Sequence, residues 1–508
     1  MTESFSPVRK VSLAKCTRRH GNAEPLTHGM PAPLPNQQRS VSSILTCGAF
    51  IAFIILSGIF LLASFDRFSF GLLMGELIFG LAMIFQTLVT FRHNSSSLAQ
   101  AAVYVFTFVF LWLAPVIQLS ILQVRLVNTA LYDENLFLAT QCVCALFSIT
   151  FSCGILYFER KGAIPRQPPA TPEPNRTYRN IGLLVTAAFV ITLLALVLRG
   201  LLYGGDTAIS PFGLLIRKYL LFIPAALLIG VLVMRNADPA RYKLYVYLAI
   251  LLLSLYVLQN PYTEKRNSLG PIYLGVFYAA LGPVLKSRIR EVTLVLVAIL
   301  IFFPLASVYT HIRNSAGITQ YTDIYAILTE HFLSTHYDAW ANIYVSVELV
   351  TQRGLQYGQQ LAGALLFYVP SSFWPDKPVA SGILLGHYLV QTHSMWFTNL
   401  SAPLIAEGFL DFHVLGVFLY ALLLSRLVTW LDRILTSGPQ PFIEALAVYL
   451  CFFLVFLLRG SLLIAVAYGS GVILAFLTLH FLSRSKQVRN VQTPRRYLNS
   501  GIRADSSG

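Results

Sequence analysis

The chain has 508 residues, 56% of them hydrophobic and 12% charged, with a formal net charge of +15. A soluble protein carries about a quarter charged residues, so this composition excludes an ordinary soluble domain and points to a chain solvated by lipid. Six scattered cysteines give no disulfide framework, and Cys142 and Cys144, two apart, face different sides of a helix and suit no metal.

In chain order, residues 1–41 are polar, basic and rich in proline. They read as a disordered tail, not a cleaved signal peptide, whose apolar region would follow its charges closely. Twelve apolar stretches come next, at 43–64, 69–90, 101–122, 136–157, 180–203, 210–234, 242–259, 268–285, 291–311, 412–431, 442–458 and 461–483. Each is close to the 20 or so residues that cross a hydrocarbon core of about 30 Å. Backbone amides in lipid need internal partners, so these are predicted helices and the fold class is all-α, polytopic and membrane-embedded. The pattern is weakest at 268–285, which holds Gly and Pro, and at 442–458, which is short. A Pro-rich linker at 158–179 separates the first four spans from the rest. The division is then a tail (1–41), nine spans (42–311), one long loop (312–411), three spans (412–483) and a basic tail (484–508). No internal repeat supports an inverted-repeat transporter.

Placing both termini in the cytoplasm puts most of the 37 Lys and Arg on the inner side and the long loop outside, as the positive-inside rule requires. The positive charge is therefore read as topology and contact with anionic lipid, not as a nucleic-acid signal. Arg199, Arg217, Arg266, Arg313, Arg353 and Arg459 fall on the outer side against this bias. Charge near lipid is costly and faces the bundle interior or water. An arginine fork suits a phosphate group, so a converging set would hold a lipid-linked diphosphate. Singly, each is equally an arginine snorkelling to headgroups. Glu76, within the second span, is open to two readings, a proton relay or a carboxyl hydrogen-bonded to another helix.

The loop has helical periodicity over 321–338, with Ile324, Ile327, Leu328 and Phe332 on one face, and again over 337–349. Both are expected as helices lying on the membrane surface. A turn at Arg353–Gly354 leads to an apolar segment ending at Pro370, and three prolines in Val-Pro-Ser-Ser-Phe-Trp-Pro-Asp-Lys-Pro, residues 369–378, forbid further helix. Trp374 suits an interface or a sugar ring, and Asp376 and Lys377 are also readable as a simple surface pair.

This loop, from Arg353-Gly354 through Phe373-Trp374-Pro375-Asp376-Lys377-Pro378 to Glu407-Gly408 and Asp411, resembles the outer loop of Wzy-type O-antigen and exopolysaccharide repeat-unit polymerases. The resemblance covers hydropathy layout throughout and motifs only within about 353–416. It implies a glycosyltransferase of C-superfamily-like architecture in the bacterial inner membrane. Such an enzyme joins undecaprenyl-diphosphate-linked oligosaccharide units without metal or other cofactor. The implied partners are that lipid-linked glycan, membrane lipids, a flippase and a chain-length regulator. The chemistry asks for charge stabilisation on the departing diphosphate and for removal of the acceptor proton. The six arginines are the candidates for the first task and His393, Asp338 and Glu407 for the second, with His331 and His336 in reserve. Trp374, Asp376 and Lys377 are candidates for sugar contact. The related O-antigen ligases share the layout and carry a functional loop histidine, in a place comparable to His393, so a ligase is the competing reading. A flippase or transporter predicts more polar residues in mid-span, and a non-catalytic scaffold predicts no clustered outer arginine.

Overall fold

The computed structural model describes residues 69–93, 95–161, 180–197, 211–237, 242–261, 266–304, 330–437 and 440–483, with short pieces between 48 and 63. Among these residues the secondary structure is helical, with one isolated bridge between Arg125 and Leu131 and no strand. The helices are α1 (Phe70–Thr90), α2 (Leu98–Leu122), α3 (Glu134–Lys161), α4 (Ile181–Val197), α5 (Pro211–Ala237), α6 (Tyr242–Leu258), α7 (Arg266–Leu285) and α8 (Arg288–Val297). Beyond residue 330 lie α9 (Ala339–Arg353), α10 (Gln359–Leu365), α11 (Ser381–His393), α12 (Leu404–Ser437), α13 (Pro441–Arg459) and α14 (Leu462–Ser483). Among the described residues, seven helical stretches are long and apolar enough to cross a membrane: α1, α2, α3, most of α5, α12, α13 and α14. Three shorter apolar helices lie at Ile181–Val197, Leu244–Leu258 and Leu269–Leu285. Most of the expected span at 43–64 and the end of that at 291–311 lie outside the described residues.

Among the described residues, two large apolar cores hold the bundle, beside a small cluster of Ala195, Leu221 and Leu258. The larger of the two joins α1, α2, α3, α8, α9, α11, α12, Tyr278 of α7 and one side of α13, and the smaller joins α4, α5, α6, the rest of α7, α14 and the other side of α13. α13 is the main wall between them: its Cys451 and Phe452 belong to one core and its Tyr449 and Phe453 to the other.

The chain reversals define two ends. At one, the start of α2 meets α7, α8 and α12 in a buried polar knot. Glu291 accepts from the Ser97 backbone N–H at 2.7 Å, the Tyr278 hydroxyl at 2.8 Å and Ser96 Oγ. Asp432 accepts from the Ala99 N–H at 3.0 Å and from Ser97 Oγ, and Arg288 donates to the Ser95 carbonyl and to Gln100. The first turn of α2 has N–H groups with no partner inside the helix, and these carboxylates supply one. Arg288, one of the basic residues that the charge bias places on the inner side, is buried in this knot.

Inside the bundle Glu76 accepts from Ser57 Oγ at 2.8 Å and the Trp112 indole N–H at 2.9 Å, with Gln141 Nε2 at 3.4 Å. Trp112 lies in a π-helical stretch of α2, Thr107–Leu113, whose wider turn shifts side-chain register. These donors are not ionisable at neutral pH, which favours the hydrogen-bonded reading of Glu76.

At the other end stand α9, α10 and α11. The surface placement expected for 337–349 is corrected: every residue from Ala339 to Leu349 is buried, and Trp340 packs against Phe137 of α3. This helix packs against α2, α3, α11 and α12. Most of the helix expected over 321–338 lies outside the described residues.

α12 departs from the expected span in a second way. It begins at Leu404, eight residues before the predicted start at 412, and breaks at Phe412 and His413, the latter at φ 54° and ψ −143°. A straight helix would hold Gly408 and Gly416 about 12 Å apart, yet a Cβ on either would strike the backbone of the other. Residues 404–411 therefore form a short arm folded back on the span, and only glycine permits that approach.

Candidate functional site

Among the described residues, three polar clusters are built into the loop end. The first lies at the start of α9. Asp338 Oδ1 accepts from Arg459, the last residue of α13, at 3.1 Å and from Ser401 Oγ at 2.7 Å. Arg459 also donates to the Thr335 carbonyl at 2.9 Å. One turn on, Asn342 donates to Ser401 and accepts from Asn128 at 2.9 Å. The Asp338 and Arg459 side chains are 2% and 17% exposed, so this pair pins α9 to α13.

The second cluster lies at the far end of α9. Glu348 faces α11, where His393 Nε2 and the Tyr388 hydroxyl each stand 2.9 Å from Glu348 Oε1. Gln352 Nε2 approaches the same oxygen at 3.3 Å. Burial raises the Tyr388 phenol above its ordinary value, so it remains a donor. Arg353, exposed at the end of α9, lies 4.9 Å above the Tyr388 ring and donates to Gln391 at 2.9 Å. His393 is the last residue of α11. Ser394, in the left-handed region, turns the chain away, and buried Met395 anchors the segment that leads to α12. Gly382 and Gly386 let the backbone at 398–400 lie directly against α11, since a Cβ on either would strike the Leu400 or Thr398 carbonyl.

The third cluster belongs to the folded-back arm. Asp411 accepts from the Gln360 and Leu361 backbone N–H groups at 3.1 and 2.9 Å, capping α10. Glu407 Oε1 accepts from the Leu462 N–H at 2.8 Å, at the start of α14, and from Ser381 Oγ at 2.6 Å. A carboxylate at a helix N-terminus meets both the unpaired N–H groups and the helix dipole.

The sequence candidates for acceptor activation thus separate. His393 pairs with Glu348, Asp338 with Arg459, and Glu407 with Ser381 and Leu462. Glu407 is fully buried and Asp338 nearly so, which leaves His393, with its exposed neighbour Arg353, as the candidate nearest solvent. Arg199 and Arg313 lie outside the described residues, as do the side chains of Arg217 and Arg266. The two remaining arginines do not share a cluster: Arg459 bonds Asp338 and Thr335, Arg353 bonds Gln391. His331 and His336 pack on one another, ring centres 5.1 Å apart, beside Phe303.

Trp374 is half-buried in a turn whose backbone N–H donates to the Pro370 carbonyl at 3.2 Å. Phe373 beside it is far more exposed, at 83%. The reading of Asp376 and Lys377 as a surface pair is corrected. Asp376 is exposed, while Lys377 Nζ donates to the Phe367 and Val369 carbonyls at 2.6 and 2.9 Å, beyond the end of α10. A lysine commonly supplies donors to carbonyls left over at a helix end, and partial burial lowers this ammonium below its ordinary value.

Glu348 was not singled out in the sequence. Its signal is a lone acid within the apolar run Ala339–Leu349, a position where an acid needs a partner. No family model, curated protein or solved structure matches the chain.

Proposed function

We propose that this membrane protein is a glycosyltransferase that joins undecaprenyl-diphosphate-linked oligosaccharide units on the outer face of the bacterial cytoplasmic membrane, making O-antigen or exopolysaccharide. The resemblance of residues 353–416 suggests the substrate class. The observation that carries the chemistry is the Glu348–His393 pair with Arg353 at the loop end.

In this reading a sugar hydroxyl of the acceptor attacks the anomeric carbon of the donor. The new C–O bond forms as the bond to diphosphate breaks, the hydroxyl proton passes to His393, and undecaprenyl diphosphate leaves. A positioned base contributes about 10²–10⁴ in rate. The charge left on the diphosphate asks for a fixed cation. Arg353 makes one hydrogen bond among the described residues, to Gln391, and its other donors suit phosphate oxygens. Asp338–Arg459 and the arm of Glu407 and Asp411 hold the site in place.

A ligase is the second reading, favoured by the same His393. Purified protein in vesicles, given lipid-linked repeat units and a lipid A-core acceptor, separates the two. Lengthened lipid-linked chains support the polymerase, transfer to the core supports the ligase, and no transfer to either rejects both.

A further inference from the structure

Resting on that reading, we infer that Glu348 is the positioning residue that selects Nδ1 of His393 as the base. Glu348 Oε1 lies 2.9 Å from His393 Nε2, and the two side chains are only 9% and 11% exposed. Which imidazole nitrogen carries the proton is set by the hydrogen bond the other ring position makes. A carboxylate only accepts, so Nε2 is the N–H that faces it, and in the neutral ring Nδ1 then keeps its lone pair. Among the described residues Nδ1 has no partner.

Two neighbours fix the carboxylate. Tyr388 donates to the same oxygen at 2.9 Å, and Gln352 approaches it at 3.3 Å. The remaining ionisable neighbours are Arg353, over the Tyr388 ring, and Tyr344, one turn before Glu348 on α9. When Nδ1 takes the acceptor proton, the resulting imidazolium stands against the Glu348 carboxylate. Glu348 takes no proton itself, and the proton on Nδ1 later passes to water. The carboxylate thus fixes ring orientation and tautomer and stabilises the charged ring.

Glu348→Gln keeps size and shape but presents an amide that can donate to Nε2 and favour the other tautomer. Two readouts test the assignment. Nitrogen NMR on histidine-labelled protein in bilayers, with the His393 signals identified by their loss in His393→Asn, reports the tautomer without any substrate. The expected wild-type spectrum has Nε2 protonated and Nδ1 bare, with the opposite tautomer appearing in Glu348→Gln. Kinetics should show kcat down about 100-fold or more with KM little changed, and partial recovery in Glu348→Asp. A wild-type ring protonated at Nδ1, or full kcat in Glu348→Gln, overturns the inference. Wild-type protein that transfers no glycan overturns the glycosyltransferase reading instead, while the tautomer result stands on its own.

Discussion

Glu348 and His393 show what a single position does and does not disclose. His393 was legible through its place in a resembling loop, but its partner is 45 residues away in sequence and reads locally as one acid on an apolar helix. The arginines were legible only as charges on the wrong side of a bias, and their side-chain bonds depend on neighbours no spacing specifies. Arg353 and Arg459 consequently predict different outcomes. Arg353 is exposed, so Arg353→Ala should leave the protein folded and abundant while losing nearly all polymer, and Arg353→Lys should keep part of it. Polymer length in membranes beside protein level checks this, and normal polymer from Arg353→Ala would make Arg353 a snorkelling side chain. Arg459→Ala strands Asp338 in the interior, and breaking a buried pair from one side costs about 3–5 kcal/mol. The expected result is a lowered thermal midpoint in detergent and reduced protein. An unchanged midpoint would show that the pair does not pin α9 to α13.

At the scale of elements, periodicity located α1, α2, α3, α13 and α14 well, because a lipid-facing helix writes its length directly in hydropathy. It failed where packing decides. The segment 337–349 is expected on the membrane surface, yet Asp338, Asn342 and Glu348 find partners inside the bundle. The turn in α12 is invisible to hydropathy, since Leu404–Leu410 is as apolar as the span it folds against. Its signal was the Gly408 and Gly416 pair, which reads equally as ordinary helix packing. Gly416→Ala should force the arm from the span and release the caps that Glu407 and Asp411 place on α14 and α10. Overpacking costs about 1–3 kcal/mol, so the midpoint should fall. Faster protease cleavage between 354 and 403 should accompany it. Unchanged stability and cleavage would mean that the arm does not hold the loop.

For the whole molecule, composition alone established a helical membrane protein, and the structure adds how its two cores share α13. The orientation proposed from charge bias predicts that reporters fused at 170, 238 and 436 read cytoplasmic and one at 350 external. An external reading at 170 would overturn the assignment of spans. The proposed site was less legible, because the side chains it uses come together only through the packing of α9, α11, α12 and α13. The most direct test of the account is glycan chain length made by purified wild-type and His393→Ala proteins in vesicles supplied only with undecaprenyl-diphosphate-linked repeat units. The account predicts a ladder of lengthened lipid-linked chains from the wild type and a rate lower by about 10²–10⁴ from the variant. Single repeat units unchanged by the wild type, or an equal ladder from both proteins, would contradict it.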